Sequence, residues 1–587
     1  MEENQKREAV LNFALDLTKE DRGKSPVLNI AFDTAEGEVE VIVKYNGDLV
    51  SKVSGQTKVE LLLADFAIVT LPISEIDAFS ALQEVEYMEV PKRLYYNLYE
   101  SKQASCIFPV TRGENRLTGK GILVAILDSG IDYYLEDFQY SDGKTRILSL
   151  WDQSLPDNQE MKWLPPTGFT QGVEFSEEQI NQAIAKPTRE EAFALVPSVD
   201  DTGHGTAVAA IAASSNSNMS LQGVAPESDL LIVKLGKDKE PGFPKTTQLM
   251  RGITYVVEKA RKLNRPMVIN LSFGNTYGPH TGNSLLEMFL EAACQMGKTV
   301  LCIGAGNEAD SGGHAEGTVG NGKEIELVVA GPEKNLMVQL WKNYGDQIFI
   351  TLESPTGERF FIDQRDLPRT FRLETKDTLL FIYVGVPTPF TLWQEIFFDF
   401  VPKGEVLESG IWKFYLQSYE SKQATYSFYL PSSQVRNPGT RFLASSPNQT
   451  ITIPGTMTGA ITVGAYDDFY GAYSAFSGRG EVENGKTFGN RQKPDLVATG
   501  VDIAASKRGG GIGYFTGTSF ACPMVSGSAA LLMEWGIVQG NDSYLYGEKI
   551  KAYLQKGARK IGRYEKYPNN QVGFGALCLE NSFPDMG

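Results

Sequence analysis

The sequence predicts an α/β fold: a mostly parallel sheet with helices on both faces, preceded by an N-terminal α+β unit and interrupted by an inserted antiparallel β-sandwich. Three observations lead there. From about 120 to 310, continuous apolar runs that end in Gly, Asp or Asn turns alternate with helical patterns, as expected of strands buried on both faces of a parallel sheet. Between about 315 and 450 the pattern changes to period-2 runs with no helix between them, the mark of half-buried antiparallel strands. Residues 1–97 form a short alternation of their own.

Taken in order, 39-VEVIVKY-45 and 66-FAIVTLP-72 read as strands, 73-ISEIDAFSALQ-83 as a helix and 86-EYMEVP-91 as a further strand, a compact unit over 1–97. The polar, irregular stretch from 98 to 120 reads as a linker. Then come a strand ending in 127-LDSGID-132, a small-residue helix (203-GHGTAVAAIAASS-215), a strand (229-DLLIVKLG-236), a helix over 246–263, a strand (266-PMVINLSFG-274), a helix and a strand (298-KTVLCIGAGN-307). This is βαβ winding. Strands at 336–342, 347–357, 411–418 and 425–431 build the insertion, 315–450, and the α/β pattern resumes over 451–587, so that 98–314 and 451–587 make one domain.

With 587 residues, 42% hydrophobic and 22% charged, the chain has an ordinary globular composition and is long enough for two or three domains. A formal charge of −17 excludes a nucleic-acid binder, since phosphate recognition rests on Lys and Arg. The N-terminus is acidic with no apolar core segment, so no secretory signal is expected, and no window approaches the ~18 apolar residues of a membrane span. Five scattered cysteines, Cys106, Cys294, Cys302, Cys522 and Cys578, read as buried thiols of a reducing compartment. That points to synthesis in the cytoplasm.

The chemistry is sought from a serine. Ser519, in 516-TGTSFACP-523, stands at a strand-to-helix junction, where it either caps the helix or serves as a nucleophile that needs a base and an acid from elsewhere. Of three histidines, His280 and His314 lie in polar, Gly-containing loops and read as surface residues. His204 instead opens a small-residue helix between two glycines. Asp128 ends a buried strand, at the carboxyl edge where α/β sheets keep their sites, although a single Asp there is also a common turn former.

The order Asp128, His204, Ser519, carried by LDSGID, GHGTAVA and GTSFACP with GAGN between the last two, resembles the subtilisin-like serine proteases, whose triads run Asp, His, Ser along the chain. The flanks 223-GVAP-226, 270-NLSFG-274 and 493-KPDLVATGVDI-503 fit as well. The resemblance implies that His204 is the base, Asp128 its orienting acid, Ser519 the nucleophile, and Asn307 with the Ser519 N–H the oxyanion donors. It further implies that Lys234, Leu235 and Gly236, and Ser272, Phe273 and Gly274, pair with an extended peptide, while Gly304, Ala305 and Gly306 wall the first specificity pocket. Phe273 either narrows that pocket or is plain packing. No cofactor is required, and calcium or other metal binding is left open. Ala207 and Met524 stand where these motifs usually carry histidines, and Thr499 where they carry proline. Asp128 and His204 are 76 residues apart, and Asn307 and Ser519 are 212 apart, wider than in minimal relatives.

The N-terminal unit, with 64-ADFAIVTLPISEID-77 and 85-VEYMEVPKRLYYN-97, and the insertion before the serine motif look like the Csp proteases of clostridia. That likeness implies a prodomain over 1–97 that assists folding, is cut in cis between Lys92 and Cys106 and stays in the cleft, and a jelly-roll-like insertion. It also implies a spore-associated enzyme that cleaves the proform of a cortex lytic enzyme during germination, with protein substrates and no nucleic-acid partner. Two alternatives remain: a pseudoprotease-like signalling protein, which would predict damage to the triad, and a general degradative protease. An esterase fits the peptide-pairing edges less well.

Overall fold

The computed structural model describes residues 6–19, 32, 37–53, 55–62, 65–90, 97–112, 116–219, 221–236, 243–364, 367, 369–418, 424–481 and 492–584. They form two compact units, Met1–Tyr95 and Tyr96–Gly587.

In the first unit four antiparallel strands lie in the order Lys58–Leu61, Phe66–Pro72, Glu38–Tyr45, Val85–Glu89. Period-2 alternation decides which face is covered: Val39, Val41 and Val43 are buried with Ala67, Val69 and Leu71, while the residues between them stay more accessible. The expected helix over 73–83 is shorter, a 3-10 turn at Ile73–Glu75 running into Ile76–Ser80. Buried Arg7 ties it down, donating to the Ile76 carbonyl at 3.0 Å and to Ser80 Oγ at 2.6 Å.

The second unit is built on a sheet whose parallel strands run in the order Leu496–Thr499, Ile461–Asp467, Thr299–Gly304, Met267–Leu271, Leu123–Asp128, Asp229–Lys234, Ile147–Asp152. Two short antiparallel strands add to it, Ala472–Tyr473 beside Ile461–Asp467 and Val173–Ser176 beside Ile147–Asp152. A strand with helices on both faces must be apolar throughout, and Leu123–Asp128 is so up to its terminal acid: Val124 and Ile126 join the cluster of the helices His204–Ala213 and Thr518–Met533, while Leu123, Ala125 and Leu127 face Thr246–Leu263 and Leu285–Cys294. Two antiparallel sheets cover the span from His314 to Phe442, one of six strands and one of five. Their inward residues, Leu336, Val338 and Leu340 from one and Ile348, Ile350 and Leu352 from the other, share one apolar cluster. The insertion does not separate as a unit of its own, because residues 96–587 are compact together.

Several expectations are corrected. The supposed linker holds two helices, Asn97–Ala104 and Phe108–Arg112, so the boundary between the units falls at 95/96, ahead of the predicted 97/98. Ser101, Lys102 and Ser105 are buried in the second unit, and Lys102 Nζ donates to the carbonyls of Gln222 at 2.7 Å and Met219 at 3.0 Å. Polar composition concealed this, since the buried ammonium is satisfied by backbone from another segment. Cys106 and Cys578 are not thiols but a disulfide, Cα atoms 4.7 Å apart across 472 residues of sequence, a pairing only the fold could reveal; Cys294, Cys302 and Cys522 are free. His314 is buried, 2% exposed, on a strand, and His280 is half-buried beneath the insertion, so neither is the surface residue expected. The segment Thr518–Val538 is long and apolar enough to cross a membrane, but 83% of its most apolar 18-residue window is buried inside the fold; it is a core helix.

Candidate functional site

Because the four central strands run parallel, their carboxyl ends open on one edge and bring Asp128, Leu235, Ser272 and Asn307 close together. His204 reaches this edge from the first turn of its helix, whose cap is Gly203 in the left-handed region, φ +80°. Gly205 lets that turn settle on the Asp128 strand: a Cβ there would fall 2.2 Å from the Gly130 carbonyl oxygen. The result is a hydrogen bond of 2.7 Å between His204 Nδ1 and Asp128 Oδ1, with Ser129 N–H donating to the same oxygen at 2.7 Å. Asp128 is buried, whereas the imidazole is 31% exposed at the cleft. Burial presses the imidazole toward its neutral form, but the carboxylates of Asp128 and Asp200 together outweigh this and hold His204 above its ordinary value.

Asp200 escaped the sequence reading. It is 1% exposed, and its carboxylate accepts from Ser129 Oγ at 2.7 Å, Gly203 N–H at 2.9 Å, and Thr206 N–H and Oγ1 at 2.8 and 2.6 Å. Ser129 Oγ in turn accepts the Gly205 N–H at 3.0 Å. The acid strand and the histidine helix are therefore fastened by one carboxylate. The available signal was local, an Asp ahead of a Thr-Gly turn.

Ser519 is the second residue of the helix Thr518–Met533, and Gly517 occupies the cap; the serine caps nothing. Pro523, four residues on, has no N–H to give the Ser519 carbonyl, and that carbonyl accepts instead from Ser272 Oγ at 2.8 Å. The Ser519 hydroxyl donates to the Ser272 carbonyl at 2.8 Å rather than to the His204 ring. Beside it, Asn307 Oδ1 accepts from Thr518 N–H at 3.0 Å and Thr518 Oγ1 at 3.1 Å, which fixes the amide and leaves its NH2 for the cleft. The Ser519 N–H, in the first helical turn, has no intrahelical partner. Two donors and a hydroxyl converge at a helix N-terminus, where negative charge is favoured.

These residues line one cleft of about 360 Å³. Of the nine predicted substrate-binding residues, Leu235, Ser272, Phe273, Gly274, Gly304 and Gly306 line it; Lys234, Gly236 and Ala305 do not. The Lys234 ammonium is buried between Asp152 and Asp201, 3.5 and 3.4 Å away. The Gly236 N–H donates to Gln153 Oε1, and Ala305 is committed on both sides, to Val463 and Thr452. Phe273 serves both readings, lining the cleft and packing on the core. Ser432, Ser433 and Gln434, from the insertion, also line the cleft; nothing in their local sequence announces it. Among the described residues no three His, Cys, Asp or Glu side chains gather as metal ligands. Residues 92–96 of the expected cleavage window lie outside the described residues.

Comparison with known proteins agrees with this geometry. The Csp protease B prodomain model matches residues 5–92, and the subtilase family model matches 119–339 and 419–575. The structure of the Clostridium perfringens CspB protease is 34% identical with a TM-score of 0.75, covering 82% of this chain and 96% of that one. The serine protease AprX of Bacillus subtilis is 35% identical over 157 residues, 23% of this chain and 32% of its own. A PII-type proteinase of Lactococcus lactis subsp. cremoris is 24% identical over 489 residues, 74% of this chain and 23% of its own. The chain thus spans about a third or less of the length of these two curated relatives. Since the family model spans well over half of the sequence, on both sides of the insertion, the chain belongs to the subtilase family of serine proteases and carries a prodomain of the Csp protease B type at its N-terminus.

Proposed function

We propose that the chain is a serine endopeptidase that cuts off its own N-terminal unit and then acts on protein substrates. The observation that carries this is the 2.7 Å bond between His204 Nδ1 and Asp128, in the same cleft as Ser519 and Asn307. In this reading the Ser519 hydroxyl leaves the Ser272 carbonyl and turns to His204 as substrate enters; such bonds often form only in the loaded site. Oγ then attacks the peptide carbonyl carbon while its proton passes to His204 Nε2. Asp128 holds the imidazolium that forms. The oxyanion takes hydrogen bonds from the Asn307 amide and the Ser519 N–H, each such donor being worth ~10²–10³ in turnover. His204 returns the proton to the departing amine, and water, deprotonated by the same base, releases the acyl group.

The self-cut is assigned between Lys92 and Asn97, narrower than the window to Cys106. From Asn97 to Ala104 the backbone is helical, Lys102 is buried and Cys106 is crosslinked, whereas a protease cleft receives an extended strand. Retention of the severed unit in the cleft, a spore location and trimming of a cortex-hydrolase proform during germination are supported by resemblance to the Csp proteases.

Intact mass of the wild type beside Ser519→Ala is the test. The wild type is expected as two fragments divided between 92 and 97, the variant as one chain; two uncut chains would sink the zymogen reading. A signalling role without turnover draws on one observation, the Ser519 hydroxyl turned to Ser272. Fluorophosphonate labelling that Ser519→Ala abolishes would dismiss it.

A further inference from the structure

Among the described residues the insertion reaches the cleft through one short segment. After the strand Thr425–Tyr429 the chain turns at Pro431, and Ser432, Ser433 and Gln434 then form part of the cleft wall. What brings them there is Glu308, the residue after Asn307. It is 7% exposed and its carboxylate accepts from Ser432 Oγ at 2.6 Å, Ser433 Oγ at 3.1 Å and Ser433 N–H at 3.2 Å. A buried carboxylate without such donors would be costly; with them it works as a clasp between the oxyanion strand and the insertion.

The segment is also braced from behind. Buried Arg436 donates to the Pro431 carbonyl at 3.0 Å and to the Ser311 carbonyl at 2.7 Å, and buried Glu333 accepts from Asn437 N–H at 3.0 Å and Thr440 Oγ1 at 2.6 Å. Thr276 Oγ1, from the loop beyond Gly274, donates to the Leu430 carbonyl at 2.7 Å. A wall held this way keeps its shape when substrate arrives. The same cleft is lined by Gly304, Gly306 and Thr452. Gly306 is irreplaceable there, since a Cβ would lie 2.5 Å from Thr452.

Within this wall the two serines are occupied by Glu308, but the side-chain amide of exposed Gln434 makes no hydrogen bond among the described residues; only its backbone N–H is engaged, with Ser432 Oγ at 3.4 Å. The amide offers two donors and one acceptor. The carboxylate behind it is wrapped by the serines, so a side chain entering at this wall meets hydroxyls and a neutral amide rather than a bare charge, and an ionised side chain finds no counter-ion there to offset its loss of water.

We propose that Gln434 is a specificity-determining residue, with which the insertion selects substrates that set an uncharged, hydrogen-bonding side chain against the Ser432–Gln434 wall. The inference rests on the endopeptidase reading above, and it gives the insertion a share in recognition.

The test digests a mixed peptide library with the purified, processed wild type and with Gln434→Ala, scoring cleavage by mass spectrometry, with fluorophosphonate labelling of each protein alongside. The wild type is expected to favour an uncharged polar residue at one position over its apolar isostere by about 5-fold, the net size of one ordinary hydrogen bond. Gln434→Ala should still take label and bring that ratio close to one. A preference that survives Gln434→Ala, or a wild type that labels yet favours apolar or charged residues throughout, overturns the inference and leaves the endopeptidase reading standing. A wild type that takes no label overturns both.

Discussion

Asp200 and His204 are close neighbours in sequence, and the carboxylate acts on the imidazole both through what it holds and through its charge. It positions Gly203, Ser129 and Thr206 around the histidine turn and adds its charge to that of Asp128 in keeping His204 above its ordinary value of 6.5. A general base must be neutral to accept a proton, so kcat/KM should rise with pH through the His204 value. With the imidazolium stabilised in the folded enzyme, that limb is expected above pH 6.5. Asp200→Asn keeps the shape and removes the charge; the midpoint should move to lower pH. The midpoint is independent of how much protein folds, so a destabilised variant still reports. If it does not move, the carboxylate is a brace only.

Between elements, a stack of three rings joins the insertion to the parallel sheet. His280, in the loop after the strand Met267–Leu271, lies 4.0 Å from Tyr429 between centroids, and His314, opening the first insertion strand, lies 4.5 Å from it. Burial pushes His280 down to about 4 and His314 to about 3, and the backbone that faces each ring offsets this only in part. Both values fall below the 6.5 of an unfolded chain, so the unfolded state takes up protons first. The stability these neutral rings contribute is complete above pH 6.5 and is lost as pH falls from there toward 3. Thermal scans between about pH 7 and 4 should show Tm falling, and His314→Phe, which keeps a stacking ring but cannot titrate, should flatten the fall. An unchanged slope would mean that other groups govern acid stability. Both histidines looked like surface residues because their neighbours are glycines and polar residues; the strand that buries them comes far later in the chain.

Over the whole molecule, what sequence could reveal followed local rules. Apolar strands ending in turns, a small-residue helix opening at His204 and period-2 runs each declare themselves within a short window, and ordered motifs mark Asp128, His204, Asn307 and Ser519. What stayed hidden was made by distant pairs: the Glu308 clasp, the bond from Ser129 to Asp200 across 71 residues, the burial of Lys102, and the bond between Cys106 and Cys578. The last is checked directly. Denatured without reductant, the protein should take up alkylating agent at three cysteines, Cys294, Cys302 and Cys522, and after reduction at all five; five labels without reductant would remove the crosslink. That crosslink makes the chain from residue 106 to 578 a closed covalent ring. A peptidase is exposed to other copies of itself, and a nick in any surface loop of a ring opens it without releasing a piece. A single cut therefore frees material only from the segments outside the ring, and a molecule cut once inside it would run whole on a gel until its one sulfur bridge is reduced.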